Sequence, residues 1–283
     1  MAVPIIYDWA KYFCNPHEGL GSSYERIILN ELLLKTMNQY KVISALESPS
    51  FGFTGLSGIN LVAMANNKCE ISLEDHDNGR LALIQDTWNS LNLAVKTKLN
   101  VDYTKLDYPD NSFDMGFNFS ALWFTSNLKM FLAEFCRVCS KAILICVPNQ
   151  NGIGYKMQIK DYTPQKYPQL HPAHLNIHSI KHLMRQNNWK LESEDFIDCP
   201  PWFDIGMSKE LFLKKLLHSA PDDTDEPTPS NVVSILPYYK DEDPLFREKM
   251  LRLAFVEKAA PQIFKKYWAH HYYMLFTPDN GDN

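Results

Sequence analysis

Residues 42–60 read VISALESPSFGFTGLSGIN, an apolar run followed by an acid, a proline and three glycines spaced by three. Glu47 closes the apolar run, and Gly52, Gly55 and Gly58 follow it. Glycine tolerates positive φ and lets a ligand come close to the backbone. A helix beginning near Gly55 would aim its free N–H groups at a carboxylate. Pro49 has a fixed φ and no N–H, so this part of the turn is stiff and one donor short. Further acids end or follow apolar stretches downstream: Glu74 with Asp75, and Asp102 beside Tyr103. Asn118 and Phe119 end another such run.

Four histidines cluster in HPAHLNIHSIKH: His171, His174, His178 and His182. Imidazole titrates near neutrality, which suits proton removal. Three readings stand side by side. The histidines face solvent, they touch a substrate, or they bind zinc. The spacing matches no standard zinc site and no cysteine pair is near, so no metal is expected. His171 and His174 precede the helix and are the better functional candidates. Cys136 and Cys139 have the spacing of a redox pair, but they sit on a helix without a second pair and read as core.

The elements that must position these residues alternate. Helices are expected over 22–39, 56–66, 80–91, 127–140 and 177–187. Strands are expected over 42–46, 69–77, 94–103, 113–119, 141–149 and 189–199. KAILICVPN is almost unbroken apolar sequence, as for a strand buried on both faces. The alternation predicts an α/β fold, a Rossmann-like, mostly parallel sheet flanked by helices. Ligands of such sheets sit beyond the carboxyl ends of the strands, where these acids and glycines fall. The pattern breaks at 219–231, SAPDDTDEPTPSN, which reads as a flexible loop. A helix over 243–267 and a last strand, HHYYMLFTP, follow. The expected organisation is an N-terminal helical segment over 1–40 and a core over 41–201 and 270–278. A largely helical insertion over 202–269 precedes the last strand.

The 283 residues carry 28 Lys and Arg against 33 Asp and Glu, a net charge of -5. No basic block marks a nucleic-acid partner, and no apolar run reaches the ~20 residues of a membrane helix. No signal peptide is read at the start of the chain. Six scattered cysteines point to a reducing, cytoplasmic setting. Oligomeric state is not legible.

The stretch LNVDYTKLDYPDNSFDMGFNFSALW, with FLAEFCRVCSKAILICVPN after it, resembles the class I S-adenosylmethionine-dependent methyltransferases. Asp102, Leu106, Tyr108, Asp110, Ser112, Phe113 and Asp114 fit their acid-rich segment before the fourth strand. Glu134, Arg137 and Val138 fit the helix that follows. The resemblance covers about 42–199 and the last strand. It departs at the glycine turn, where Ser48, Pro49, Ser50 and Phe51 come before the first glycine.

The resemblance implies S-adenosylmethionine as cofactor and a small-molecule methyl acceptor. Glu47, Gly52 and Gly55 would hold the amino-acid end of the cofactor. Glu74, with Asp75 as rival, would take the ribose hydroxyls, because a carboxylate accepts both protons. Asp102 and Tyr103 would flank the adenine, and Asn118 and Phe119 the methionine part. Methyl transfer would be an in-line displacement that needs alignment more than charge stabilisation. His171 and His174 are candidate bases. Tyr7, Trp9, Tyr12 and His17 of the N-terminal segment, with Trp123, Tyr155 and Trp202, are candidate acceptor contacts. Two other functions compete. One is a methyltransferase-like protein that binds a partner through its insertion. The other is a nicotinamide-dependent oxidoreductase, disfavoured because GxGxxG is absent.

Overall fold

A computed structural model describes residues 9–16, 18–52, 55–163, 165–202 and 234–279. Tyr7, His17 and the loop 219–231 lie outside the described residues. One seven-stranded sheet runs in the order β3-β2-β1-β4-β5-β7-β6. Its strands are β1 (Ser44–Glu47), β2 (Glu70–Asp75), β3 (Lys96–Leu99), β4 (Phe113–Phe119), β5 (Cys139–Pro148), β6 (Trp189–Ile197) and β7 (His271–Pro278). β1 to β5 are parallel neighbours, and β7 lies antiparallel between β5 and β6.

The sheet is covered on both faces because its central strands are apolar on both. In β5, Ala142, Leu144 and Cys146 enter one core, while Ile143, Ile145 and Val147 enter the other. The first core is closed by α1 (Gly19–Tyr40), α2 (Val62–Asn66) and α3 (Asn78–Ser90). The second is closed by α4 (Leu128–Val138), α5 (Ile153–Gln158) and α6 (Ile177–Gln186). Short polar side chains fix three helix starts. Asp77, Asn127 and Asn176 accept from the N–H of Arg80, Met130 and Ser179 at 2.9, 3.1 and 3.0 Å, a contact worth about 1 kcal/mol each.

Four expectations are corrected. Of 56–66, only Val62–Asn66 is helical. Gly58 takes φ +72° just before it, and the Leu56 N–H donates to Glu18 instead of opening a helix. The third strand shrinks to Lys96–Leu99, because Asn100 and Asp102 fold into local turns through their own side chains. The helix expected over 22–39 starts earlier, at Gly19, and Ser22 and Ser23 are buried within it. The helix over 243–267 is three pieces, α7 (Phe246–Arg252), α8 (Phe255–Ala259) and α9 (Gln262–Trp268). Pro261, which cannot continue a helix, stands directly before the last. α9 packs against β6 and α5, while residues 236–252 lie along α1. There the Tyr239 hydroxyl meets Asn30, and Arg247 pairs with Glu31 at 2.7 Å.

Candidate active site

The carboxyl ends of β1, β2 and β4 meet at one edge, and the turn after β1 lies across them. Ser48 Oγ donates to Glu74 Oε2 at 2.8 Å, and Ser50 Oγ donates to Asp75 Oδ2 at 3.0 Å. Asn118 Nδ2 donates to the Ser48 carbonyl at 2.8 Å. The Ser50 N–H adds a bond to the Glu74 carbonyl at 2.8 Å. The tips of β2 and β4, which the sequence reading assigned to a cofactor, are thus bonded to this turn.

Asp75 receives a second partner. Arg80 Nε donates to Oδ2 at 2.8 Å and Nη2 to Oδ1 at 2.5 Å, a two-point pairing of planar groups. The guanidinium carbon lies 3.7 Å from the ring centre of Phe51 and 4.8 Å from that of Trp9. Phe51 is buried, and so is Arg80. Glu74 is buried too, with Asn100 Nδ2 at 3.1 Å from Oε2; burial raises its pKa.

Glu47 is buried against Asn60, whose Nδ2 donates at 2.6 Å. Arg26 Nη1 donates to the same Asn60 at 2.8 Å. Burial pushes the Glu47 pKa up to about 8, and the Asn60 bond opposes it only in part. Gly52 is pressed against β4, where an added Cβ would stand 1.6 Å from the Phe119 carbonyl oxygen. Gly55 takes φ +134° and faces the carboxylate of Glu18. Glu18 Oε1 accepts the Leu56 N–H at 2.6 Å and is ion-paired with Arg26. The turn does hold a carboxylate, as its glycines and N–H groups predict, but it is the chain's own.

The remaining candidates divide. Tyr103, Asn118 and Phe119 are buried; Asp102 is exposed, bound to Thr104 at 2.7 Å. His171 and His174 stand with their rings 5.1 Å apart. The His171 N–H donates to the Trp123 carbonyl at 2.8 Å, and burial lowers the His174 pKa. His178 and His182 are exposed on α6, the solvent-facing reading. Trp123 and Tyr155 are packed into the second core. Trp202 is half-buried, edge-on to Tyr24 at 5.5 Å. Tyr12 is half-buried against the first core. Trp9, Phe51, His76, Asp77, Arg80 and Phe124 line a cleft of about 280 Å³ beside the tip of β2.

These residues do not fit S-adenosylmethionine as they stand. Both Asp75 oxygens are taken by Arg80, and the Leu56 N–H is taken by Glu18. The Gly52 backbone occupies the approach to β4. Sequence reasoning missed Arg80 and Phe51. The available signal was a bulky aromatic inside a glycine turn, and an arginine five residues after an acid.

Residues 55–146 match the family model described as Methyltransferase domain. No curated protein sequence matches the chain. Among solved structures, one from Galdieria sulphuraria, titled as a candidate sarcosine dimethylglycine methyltransferase, is similar. Its TM-score is 0.53 and identity 14%, over 88% of this chain and 85% of that one. The [4+2]-cyclase SpnF gives 0.51 and 12%, over 89% and 81%. The YcgJ protein of Bacillus subtilis gives 0.51 and 11%, over 90% and 99%. At these identities the likeness is one of fold, and the cyclase shows that the fold carries other chemistry. Among the described residues no helix is long and apolar enough to cross a membrane. The seven-stranded α/β sheet and the match of residues 55–146 to the methyltransferase-domain model bear out the resemblance to the class I S-adenosylmethionine-dependent methyltransferases.

Proposed function

We propose that the chain transfers a methyl group to a small-molecule acceptor by in-line displacement. In this reading it acts only after the turn 48–52 and the Arg80 side chain leave the ribose place. The observation that carries the reading is the order of acids on adjacent tips, Glu47, Asp75 and Asp102, within a matched methyltransferase domain. Asp75, at the very end of β2, is the better ribose acid, and Glu74 the rival. The cleft lined by Trp9, Phe51 and Phe124 would open onto that place.

A second reading has its own support. The filled tips favour a non-catalytic relative that binds a partner through the insertion. Calorimetric titration of the full chain with S-adenosylmethionine and with S-adenosylhomocysteine, beside a Phe51→Gly variant, separates the two. Binding by the natural chain, with radiolabelled methyl passing to an added small-molecule acceptor, upholds methyl transfer. Binding by the variant alone identifies the turn as the barrier and upholds the opening step. No binding by either protein, both folded by circular dichroism, overturns methyl transfer and leaves the second reading.

A further inference from the structure

Away from the β1 turn, on the same edge of the sheet, three residues from distant parts of the chain converge. Glu25 comes from the second turn of α1, Asp198 follows β6, and His271 opens β7. Each offers one ligand atom, these atoms lie within 4.8 Å of one another, and all three residues are buried. We propose that Glu25, Asp198 and His271 bind a divalent transition-metal ion.

Charge and donor chemistry carry the proposal. His271 Nδ1 lies 2.7 Å from Glu25 Oε1. Asp198 Oδ2 is 2.6 Å from His270 Nδ1, and the His270 N–H donates to the Asp198 carbonyl at 3.0 Å. That leaves Asp198 Oδ1, a buried carboxylate oxygen with no hydrogen-bond partner among the described residues. An oxygen in that position carries a desolvation cost that a cation removes. Two carboxylates and one neutral imidazole hold a dication without surplus charge. Two oxygens and one nitrogen suit Zn²⁺, Mn²⁺, Fe²⁺ or Co²⁺ rather than a soft ion that prefers sulfur. For bonds of about 2.0–2.2 Å to one centre, the 2.7 Å contact of His271 with Glu25 opens to admit the ion and the wider separations, up to 4.8 Å, close around it. His270 then orients Asp198 from behind, the usual arrangement around a metal-binding carboxylate.

The site is legible only in the fold. β7 runs antiparallel between β5 and β6, which pairs His271 with both Pro148 and Ile197 at the carboxyl ends of those strands. α1 then lays Glu25 over the same point. The ring of His271 stands 4.6 Å from that of Phe119, at the tip of β4. The ion would sit beside the tip of β4. The inference stands whether or not the chain transfers methyl groups.

The test uses the full chain, stripped with a chelator, desalted and titrated with Co²⁺ alone. Uptake is measured by elemental analysis after desalting, and geometry by the visible absorption of the ion. One equivalent bound, visible d–d bands and no thiolate charge-transfer band in the near ultraviolet are expected. Asp198→Asn and His271→Gln each lower affinity at least tenfold, as removal of a ligand should, while His178→Ala on the exposed face of α6 leaves it unchanged. Substoichiometric uptake overturns the proposal. So does a thiolate band, or binding that survives both ligand substitutions. Should both variants fail to fold, the natural chain decides: stoichiometric Co²⁺ with nitrogen and oxygen ligation upholds the site, and any other uptake overturns it.

Discussion

Two groups of buried acids share one edge of this sheet and are answered in opposite ways. On the β1–β2 side, Glu47 meets a neutral amide from Asn60, Glu74 meets Ser48 and Asn100, and Asp75 meets Arg80. On the β6–β7 side, Glu25 and Asp198 meet imidazoles. The result shows in the titration of two glutamates that are equally buried. Burial pushes Glu47 up to about 8, since a neutral amide cannot offset the loss of water around a charge. Burial acts on Glu25 as well, but the positive groups beside it, His271 first and His270 among them, together outweigh it and hold Glu25 down to about 2. Depth alone therefore does not set the behaviour of Glu25, where the positive charge around it wins, whereas at Asp198 burial wins over the His270 imidazole and raises the pKa. The first group is closed by fixed partners, and the second keeps groups that can exchange a proton or a cation.

The sharpest way to break this contrast is to remove the cation paired with Asp75. Arg80→Ala leaves Asp75 buried without its partner and should cost about 3–5 kcal/mol in urea denaturation. A loss under about 1 kcal/mol would mean that Asp75 reaches water easily and that the turn is loosely held.

The next effect separates the two glutamates by pH. The raised Glu47 pKa means that its contribution is fully present below its ordinary 4.5 and is lost as pH climbs through about 8. Glu47→Gln should therefore flatten the fall in stability between pH 5 and 8, by an amount on the order of 2–3 kcal/mol. Glu25 has the opposite sign, because its lowered pKa gives stability above 4.5 that is lost as pH drops towards about 2. Glu25→Gln should flatten only the acid limb. Equal pH profiles for the two variants would erase the distinction.

A smaller effect tests how tightly the turn is seated. A Cβ at Gly52 cannot coexist with the Phe119 carbonyl at 1.6 Å, and backbone yields less easily than a side chain. Gly52→Ala should cost about 1–3 kcal/mol. A neutral result would show that the turn lifts readily, which is what cofactor entry requires. The smallest effect belongs to the insertion. The Arg247–Glu31 pair is half exposed at 2.7 Å, so Glu31→Gln should change stability by about 0.2–1 kcal/mol, less in high salt.

Much of the core was legible from local pattern. The apolar run ending at Val147 sits at the centre of the sheet with both faces covered, and FDMGFNF is a strand from end to end. Arg137 reaches the carbonyls of Leu106 and Tyr108 and the carboxylate of Asp110, and pairs with Glu134. That network ties the acid-rich segment to the helix after it. The insertion was less legible, since Pro261 breaks a helical pattern whose periodicity runs on either side of it. Residues 203–233, which include the proposed loop, lie outside the described residues.

By itself the sequence determined the alternation of elements, the faces each strand buries and the gathering of acids at the strand ends. Those features depend on neighbours a few residues apart, where period and side-chain type decide. Only the tertiary structure decided what the acids meet. Glu18 on the Leu56 N–H, Arg80 on Asp75 and the convergence of Glu25, Asp198 and His271 arise from the packing of α1 and the crossing of β7. The energy of a buried charge depends on the partner that packing delivers, and chain separation carries no record of that partner.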